Sequence, residues 1–488
     1  MTAPARIPRV RVSTPRPLGL VAVLAAVAAI ASLAPTASAA APALPTAQAG
    51  PHPAVTVGTA SGADDPADPD VPELVPVTIE SSGPVRAYTD RVASIDFAVA
   101  ADGAPLAGVA VVVERRDADG AWRPVATLAS DVAGQVRFSR KAAAGTTRFR
   151  ASTAASATHT AAQSEVVTVT GVAAPTTIRL TGPTKVVDEK AVVLKVAWVA
   201  KDGRAVTGSA RLESSAAGAA WRLVKTVAVR SGAAKVTVRP RVTTRYRLVG
   251  VGTRTHAADT STAHKVVNLP PGAVVSLPKG APRPRVSLPA QPRAVGSGLN
   301  ATVSRIPDKV WRSMVGRSWH AGCPVGRASL RLVRLNYWGY DGYRHRGELV
   351  VHSAIAGKTV HAFRKLYAGR FPIRSIYRVD RFGYSGRLNG ADDYASMAAG
   401  NTSAFNCRGV VGNPSVRSPH AGGRSIDINP WENPYRSRAD GWVPNGWWVG
   451  RSHPRFAWRS SSHGVVRAMN AAGFRWTYGV ADAHHFAG

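Results

Sequence analysis

The chain has few cysteines, few acidic residues and, after its first forty residues, no long apolar run. Two cysteines among 488 residues are too few for a Cys-rich zinc site. Only 29 Asp and Glu stand against 62 Lys and Arg, so the formal net charge is +33 at pH 7. Such an excess of positive charge indicates an anionic partner, which could be nucleic acid, a membrane surface or an anionic cell wall. The 45 glycines and 35 prolines follow no period, which excludes a collagen-like chain.

The first forty residues have the pattern of a secretory signal peptide. Four arginines precede an uncharged apolar run (18–34), and the small-residue segment Ala37-Ser38-Ala39 follows it. The run is at the lower limit for crossing a bilayer, so an uncleaved N-terminal anchor is the alternative. No later stretch approaches transmembrane length, and we expect no membrane-spanning segment once the signal is cleaved. The prediction is a secreted protein, extracellular or associated with the cell wall, and export favours anionic wall polymers over nucleic acid as partners.

The middle of the chain contains a repeat of about 100 residues, as the offsets of its landmark residues show. Short alternating runs rich in Val, Thr and Ala, separated by turn residues, predict antiparallel strands joined by hairpins. Glu114 and Trp122 recur 99 residues later as Glu213 and Trp221. About seven strands per repeat predict two tandem all-β immunoglobulin-like sandwiches. They resemble modules of secreted bacterial wall proteins, and their role is either spacing or wall binding.

Composition divides the rest of the chain. A polar stretch without apolar period predicts a disordered linker, and a Pro-rich stretch predicts an extended, semi-rigid linker. The last region mixes helical and strand periodicity, which predicts an α+β domain. From residue 301 to 488 it holds 27 Lys and Arg against 10 Asp and Glu, a balance of +17. The predicted segments are a signal peptide (1–40), a disordered linker (41–70), two sandwiches (71–171 and 172–268), a Pro-rich linker (269–301) and the α+β domain (302–488).

Two clusters in the last region carry residues that can bind a metal. His420 and Asp427 lie seven residues apart with glycines between them, and Asp482, His484 and His485 lie close to the end of the chain. Two imidazoles and one carboxylate leave a fourth position open for water, which is what a hydrolytic zinc site needs. A further carboxylate that is not a ligand can accept the proton of that water.

With these clusters, the region from about Val303 to Phe486 resembles the zinc D-alanyl-D-alanine carboxypeptidase and L-alanyl-D-glutamate peptidase family. The family pattern S-x-H-x-x-G-x-A-x-D is present from Ser418 to Asp427, with Ser425 in place of the usual Ala. An acid three residues before a second His, followed by Phe, is present as well. Segments that resemble one branch of the family are 322–325, 347–351, 401–408 and 426–430. The resemblance implies an α+β zinc peptidase domain of the hedgehog and D,D-peptidase-like type.

The resemblance also implies the roles of individual residues. His420, Asp427 and His485 are the expected ligands of Zn²⁺, and Asp482 is the expected general base, which passes the proton of water to the leaving amine. His484 competes with His485 for the third ligand position. The three-residue step from the acid and the following Phe favour His485.

An arginine that stabilises the oxyanion is a further expectation from the family. Arg408, twelve residues before His420, is the candidate, and Arg417 or Arg424 could substitute for it. A fixed cation beside developing negative charge contributes roughly 3 kcal/mol to transition-state stabilisation.

Cys323 and Cys407 both lie in the last region of an exported chain, which predicts a disulfide between them. Two free thiols are the alternative. Taken together, these observations predict a secreted zinc metallopeptidase that cuts peptidoglycan stem peptides. The bond could be D-Ala–D-Ala, cut by a carboxypeptidase, or L-Ala–D-Glu, cut by an endopeptidase. The alternative function is a catalytically inactive wall-binding protein that uses the peptidase-like and Ig-like domains for attachment. Retention of the three ligands and the base favours the enzyme.

Overall fold

The computed structural model describes residues 73–488, which begin with a first β-sandwich. The predicted signal peptide (1–40) and disordered linker (41–70) lie outside the described residues. The strands of the first sandwich are β1 Val77–Ser81, β2 Val85–Tyr88, β3 Val92–Ala101, β4 Ala104–Pro105, β5 Ala110–Arg116, β6 Trp122–Ala129, β7 Gln135–Lys141, β8 Gly145–Thr153, β9 Ala162–Gln163 and β10 Val167–Val172.

Two sheets enclose the core of this sandwich. In the smaller sheet β3 pairs with β1, β4 and β7, and the larger sheet has the order β2-β10-β8-β5-β6 with β9 on β8. Alternate residues of β3 are buried, including Ile95, Phe97 and Val99, as the period of two in a half-buried strand requires. Their side chains share one apolar cluster with Val111 of β5 and Phe149 of β8.

A second sandwich repeats this topology. Its sheets have the orders β11-β13-β16 and β12-β19-β17-β14-β15, with β18 on β17. The core surrounds Trp198, and a Cβ at Gly250 would lie 2.6 Å from its ring, so glycine is required there. The prediction of two tandem immunoglobulin-like sandwiches is confirmed. The strands are β11 Thr176–Thr181, β12 Lys185–Val187, β13 Val192–Ala200, β14 Gly208–Ala216, β15 Arg222–Val229, β16 Ala233–Val238, β17 Thr244–Gly250, β18 Asp259–Thr260 and β19 His264–Leu269.

The sequence repeat marks a triad on the larger sheet. In the first sandwich Arg150 lies over the ring of Trp122 at 4.5 Å and pairs with Glu114 at 2.7 Å. The second sandwich repeats this arrangement with Arg247, Trp221 and Glu213. The cation–π contact and the ion pair together hold the arginine in place on the sheet.

The C-terminal region is an α+β domain, as predicted. Strands β20, β21 and β22 form an antiparallel sheet, and helix α2 packs on it through residues spaced by three and four, including Ile355, Phe363 and Leu366. The elements are β20 Thr302–Arg305, α1 Asp308–Met314, β21 Leu330–Trp338, β22 Arg344–His352, α2 Ser353–Ala368, β23 Tyr384–Ser385, β24 Gly390–Ala391, α3 Asp393–Ala398, β25 Gly409–Val410, β26 Asn413–Arg417, β27 Ser425–Asp427, β28 Tyr435–Ser437, β29 Gly441–Val443, α4 Gly464–Asn470 and β30 His485–Ala487. Within residues 73–488, no helix has the length and apolarity needed to cross a bilayer.

The Pro-rich segment between residues 269 and 301 runs along this domain. The backbone N–H of Val275 donates to the carbonyl of Tyr340 at 2.8 Å, and the indole N–H of Trp431 donates to the carbonyl of Pro282 at 2.9 Å. Val275 and Leu277 also pack against the apolar cluster of Trp431 and Trp448. The segment is therefore attached along its length to the domain that follows it.

The second sandwich is joined to the C-terminal domain by an ion pair. Arg344, the first residue of β22, pairs with Glu189 of the turn between β12 and β13 at 2.5 Å, and its side chain is only 7% exposed. The same guanidinium donates to the carbonyls of Gly296 and Gly298. Tyr343 donates its hydroxyl hydrogen to the carbonyl of Asn268 at 2.8 Å. These contacts hold β12, β19, the Pro-rich segment and β22 against one another.

Cys323 and Cys407 form a disulfide, with a Cα–Cα distance of 5.9 Å. The backbone N–H of Cys407 also donates to the carbonyl of Ser318 at 2.9 Å. The bond closes a loop between residues 84 positions apart and fixes the segment that leads into Arg408.

Replacing both cysteines by serine is expected to lower the free energy of unfolding of the C-terminal region by roughly 4 kcal/mol, because the loop closed by the bond is long. Tryptophan fluorescence during denaturant titration measures the change, since most tryptophans lie in this region. Reduction of the unchanged protein should give the same shift, and reduction of the serine variant should give none. A loss below about 1 kcal/mol would contradict the expected stabilisation.

Candidate metal centre

Two of the residues that could bind a metal face each other across a short pair of antiparallel strands. The register of β27 and β30 places Asp427 directly opposite His485. Directly opposed residues project to the same face of such a pair, so the carboxylate and the imidazole meet. Their neighbours Ile426 and Phe486 are also opposed and are fully buried in the core. Successive side chains of each strand point to opposite faces of the pair. Asp427 and His485 therefore lie on one face, and Ile426 and Phe486 on the other face attach the pair to the core.

His420 is held by a single 3₁₀ turn, Pro419–Gly422. The hydroxyl of Ser418 accepts a hydrogen bond from the backbone N–H of His420 at 3.3 Å and caps the turn. Gly423 ends it in the left-handed region at φ +66°, where a Cβ would come within 3.0 Å of the backbone nitrogen of His352. Glycine is required at this position for both reasons. A turn fixed at both ends directs the His420 side chain toward Asp427.

The donor atoms of three side chains converge. His420 Nε2 lies 3.1 Å from Asp427 Oδ2, and His485 Nδ1 lies 3.2 Å from Asp427 Oδ1. The two imidazole nitrogens are 3.1 Å apart. All three side chains are at most 4% exposed. Two imidazoles and one carboxylate at these separations can bind a single cation.

The surroundings of these side chains fit a zinc ion. His420 Nδ1 bonds to the carbonyl of Ala404 at 2.7 Å, and donation to a carbonyl leaves the lone pair on Nε2, which faces Asp427. Metal-binding histidines commonly make this kind of second hydrogen bond. Asp427 Oδ1 is buried and has no well-directed hydrogen bond to another described residue, which is costly unless another partner is present. Nitrogen and carboxylate donors are the ligands that Zn²⁺ takes in hydrolytic sites.

Charge interactions determine the protonation of this group. Burial by itself raises the pKa of Asp427, but positive charge on His420 and His484 outweighs burial and holds that pKa well below its usual value. Burial lowers the pKa of His420, and the Asp427 carboxylate raises it by more. Asp427 is therefore an anion at neutral pH, which is the form that binds a cation.

Asp482 lies on the wall of the same cavity. It follows the 3₁₀ turn Gly479–Ala481, and its side chain is 15% exposed. Burial raises its pKa, and nearby positive charge on His484 and His485 offsets only part of that rise. A carboxyl group with a raised pKa can accept a proton and return it near neutral pH. Its place at the cavity and its raised pKa are compatible with the general-base role expected from the sequence.

The structure gives His484 and His485 different contacts. His484 Nδ1 bonds to the carbonyl of Asn433 at 2.8 Å, and its Nε2 lies 3.2 Å from Asp482 Oδ1 and 3.8 Å from Asp427 Oδ2. His485 instead lies within 3.2 Å of both His420 and Asp427. His484 is thus next to the candidate base, and His485 completes the converging group.

Of the three arginines considered from the sequence, Arg408 is the one that lines this cavity. Its Nη2 pairs with Asp393 Oδ2 at 2.5 Å, and its Nη1 donates to the carbonyl of Gly409 at 2.9 Å. Its Nε is buried and donates to no described residue. Arg417 and Arg424, the two alternatives, are exposed and do not line the cavity.

The cavity has a volume of about 240 Å³. Sequence reasoning missed several residues that line it, because they come from α3, β28 and the segment before Gly479 and share no motif. Arg436 is exposed at the cavity, and no described residue forms an ion pair with it. The missed residues are Asp393, Tyr435, Arg436 and Tyr478.

Comparison with known proteins agrees with the chemistry of this site. Residues 411–487 match a family model described as D-alanyl-D-alanine carboxypeptidase. The matched segment contains His420, Asp427, Asp482 and His485, whereas Arg408 and both cysteines precede it. The resemblance noted from the sequence is confirmed for this C-terminal part of the chain.

Comparisons of the chain with curated proteins and with solved structures give no further information about the site. No curated protein matches the chain. Among solved structures, one match is the crystal structure of invasin, described as a bacterial integrin-binding protein, at 13% sequence identity and a TM-score of 0.27. The alignment covers 55% of this chain and 47% of that one, so the chain spans about half the length of invasin.

Proposed function

We propose that this protein is a secreted zinc metallopeptidase that hydrolyses peptide bonds in peptidoglycan stem peptides. The observation that carries the proposal is the convergence of His420, Asp427 and His485 within 3.2 Å of one another, beside Asp482 in one cavity. The family match over residues 411–487 supports the same conclusion.

His420, Asp427 and His485 hold the zinc ion in this proposal. When bound, zinc supplies a Lewis acid that lowers the pKa of water and polarises a carbonyl group. The hydrogen bond from His420 to Ala404 orients the imidazole, and the β27–β30 pair fixes the other two side chains. The protein thereby presents its ligands without rearrangement.

Asp482 moves the proton in the proposed reaction. Its carboxylate takes a proton from the attacking water and passes it to the nitrogen of the leaving amine, so the C–N bond breaks as the new C–O bond is kept. Burial favours this exchange because it raises the pKa of the carboxyl group toward neutral pH. His484 lies against this carboxylate and holds it at the wall of the cavity.

Arg408 stabilises the negative charge that develops on the carbonyl oxygen of the scissile bond. The ion pair with Asp393 fixes the guanidinium at the wall of the cavity. A donor that is already in position needs no reorganisation during the reaction. Arg436 at the cavity suits a substrate with a free carboxylate, which both candidate stem-peptide bonds offer nearby.

Digestion of purified peptidoglycan tests the proposal. The zinc-loaded protein is expected to release fragments that mass spectrometry identifies, and two soluble peptides distinguish the bond. One peptide ends in D-Ala–D-Ala and the other contains L-Ala–D-Glu. Addition of a chelator should stop cleavage, and zinc should restore it. If zinc-loaded protein leaves the peptidoglycan and both peptides intact, the proposed function is wrong.

A further inference from the structure

The two sandwiches share a fold but differ in charge. Residues 73–173 hold 10 Lys and Arg against 10 Asp and Glu and are neutral. Residues 174–269 hold 17 Lys and Arg against 5 Asp and Glu, a balance of +12. A common fold therefore does not explain the charge of the second sandwich, and the first sandwich provides an internal reference for it.

The five acidic residues of the second sandwich are all engaged. Four of them form ion pairs with arginines, and Asp259 accepts a hydrogen bond from the backbone of Ile178 at 2.7 Å. The ion pairs are Asp188–Arg241, Glu189–Arg241, Glu189–Arg344, Asp202–Arg91, Asp202–Arg204, Glu213–Arg211 and Glu213–Arg247. Most other cations of this sandwich therefore have no acidic group of their own domain left to pair with.

Part of this difference lies on the outer face of the smaller sheet. In the first sandwich this face carries Glu80 on β1, Asp96 on β3 and Arg137 on β7. Asp96 and Arg137 are directly opposed and form an ion pair at 2.7 Å. The equivalent positions of β11, β13 and β16 in the second sandwich hold Arg179, Lys195 and Lys235. Two positions that hold acidic residues in the first sandwich therefore hold cations in the second.

We define the cationic face as Arg179, Lys195 and Lys235. The positions of its two lysines lower the stability of the folded sheet. Lys195 lies directly opposite Lys235, and like charges at opposed positions of an antiparallel pair are destabilising. All three side chains are exposed and form no hydrogen bond or ion pair with another described residue. The first sandwich shows that an ion pair fits the same positions. The arrangement is therefore better suited to an external anion than to the stability of the sheet.

The chemistry of the face indicates which anion it takes. Its other outward residues are Thr, Val and Ala, and none of the outward residues of β11, β13 and β16 is aromatic. A face that bound single-stranded nucleic acid would need aromatic side chains on which bases stack. The separated positive charges on this open face are instead complementary to a flexible polymer that carries a negative charge in each repeat unit.

We propose that the second sandwich is a docking module for a linear polyphosphodiester, the chemistry of anionic wall polymers, and that the cationic face is its contact surface. The choice of a wall polymer rests on the proposed function, whereas the location of the surface does not. The first sandwich is a neutral spacer. Binding by such a face releases counterions and weakens as salt concentration rises.

Exchange of residues between the repeats tests this proposal. The variant R179E/K195D/K235R gives the second sandwich the side chains of the first. Its affinity for purified, deacylated polyglycerol phosphate is expected to fall at least about tenfold at low salt, and the salt dependence to become shallower. The melting temperature should not fall, because the exchanged residues already fit this lattice in the first sandwich. The reciprocal variant E80R/D96K/R137K should bind more tightly than the unchanged protein.

Three controls distinguish binding by the cationic face from the effect of net charge and from peptide cleavage. R364E/K365E on the exposed side of α2 lowers the net charge by the same amount and should bind almost as well as the unchanged protein. Equal loss in that control would overturn the proposal, and so would equally tight binding of polyglutamate or duplex DNA. Cleavage of a soluble stem peptide should be the same in all these variants. A protein that binds the polymer as expected but cuts no peptide would count against the proposed function alone.

Discussion

Asp482→Asn is expected to lower kcat on a soluble stem peptide by about a thousandfold while a full equivalent of zinc remains bound. Asparagine keeps the shape of the side chain but cannot accept the proton of water. The three converging side chains keep their own contacts, because Asp482 is not one of them. Measurement of kcat and KM together with zinc content by elemental analysis separates the two effects.

Asp341→Asn is the matched control for this substitution. Asp341 lies in the same domain but pairs with His345 away from the cavity, and its side chain is half exposed. The control should keep both activity and zinc. If Asp482→Asn keeps more than about a tenth of kcat, another group accepts the proton and the assignment of the base is wrong.

The second large effect concerns the metal itself. His420→Ala and His485→Ala are each expected to weaken zinc binding at least about a hundredfold, since loss of even an outer-shell partner can cost that much. Activity at limiting zinc should disappear with the metal. Competition with a chromophoric chelator measures the affinity without relying on catalysis.

His484→Ala separates the two adjacent histidines in the same experiment. It should retain zinc close to the affinity of the unchanged protein, because His484 contacts Asp482 and the carbonyl of Asn433. Retention of metal by His485→Ala together with loss by His484→Ala would exchange their roles.

The sequence was informative where function depends on local spacing. The step from His420 to Asp427 and the cluster of acid and histidines at the end of the chain are short patterns that indicated where the converging residues lie. The family resemblance then favoured His485 over His484. The period of two in strands such as β3 and β13 identified the sandwiches, because one face of each strand is buried.

Contacts between distant segments were not predictable in this way. Nothing local to Asp393 indicates that it holds Arg408, since the pairing depends on how α3 meets the segment after Cys407. The composition of the Pro-rich segment predicted an extended chain but not the surface on which it lies. That surface depends on side chains such as Trp431 and Tyr340, which the fold brings together.

If the chain is the proposed peptidase and its second sandwich binds the proposed polymer, the ion pair between Glu189 and Arg344 limits how far the active site can reach. A flexible linker lets a tethered active site sample a volume, and the effective concentration of substrate falls gradually with distance from the attachment point. In that arrangement, a sandwich fixed to the peptidase-like domain would present the active site at one distance from the bound polymer. Scissile peptide bonds at that distance would reach the active site at high effective concentration. Peptide bonds elsewhere would not reach it until the polymer is released. Turnover on an intact wall would then follow the rate of hopping between anchor points, whereas turnover on free peptides would not.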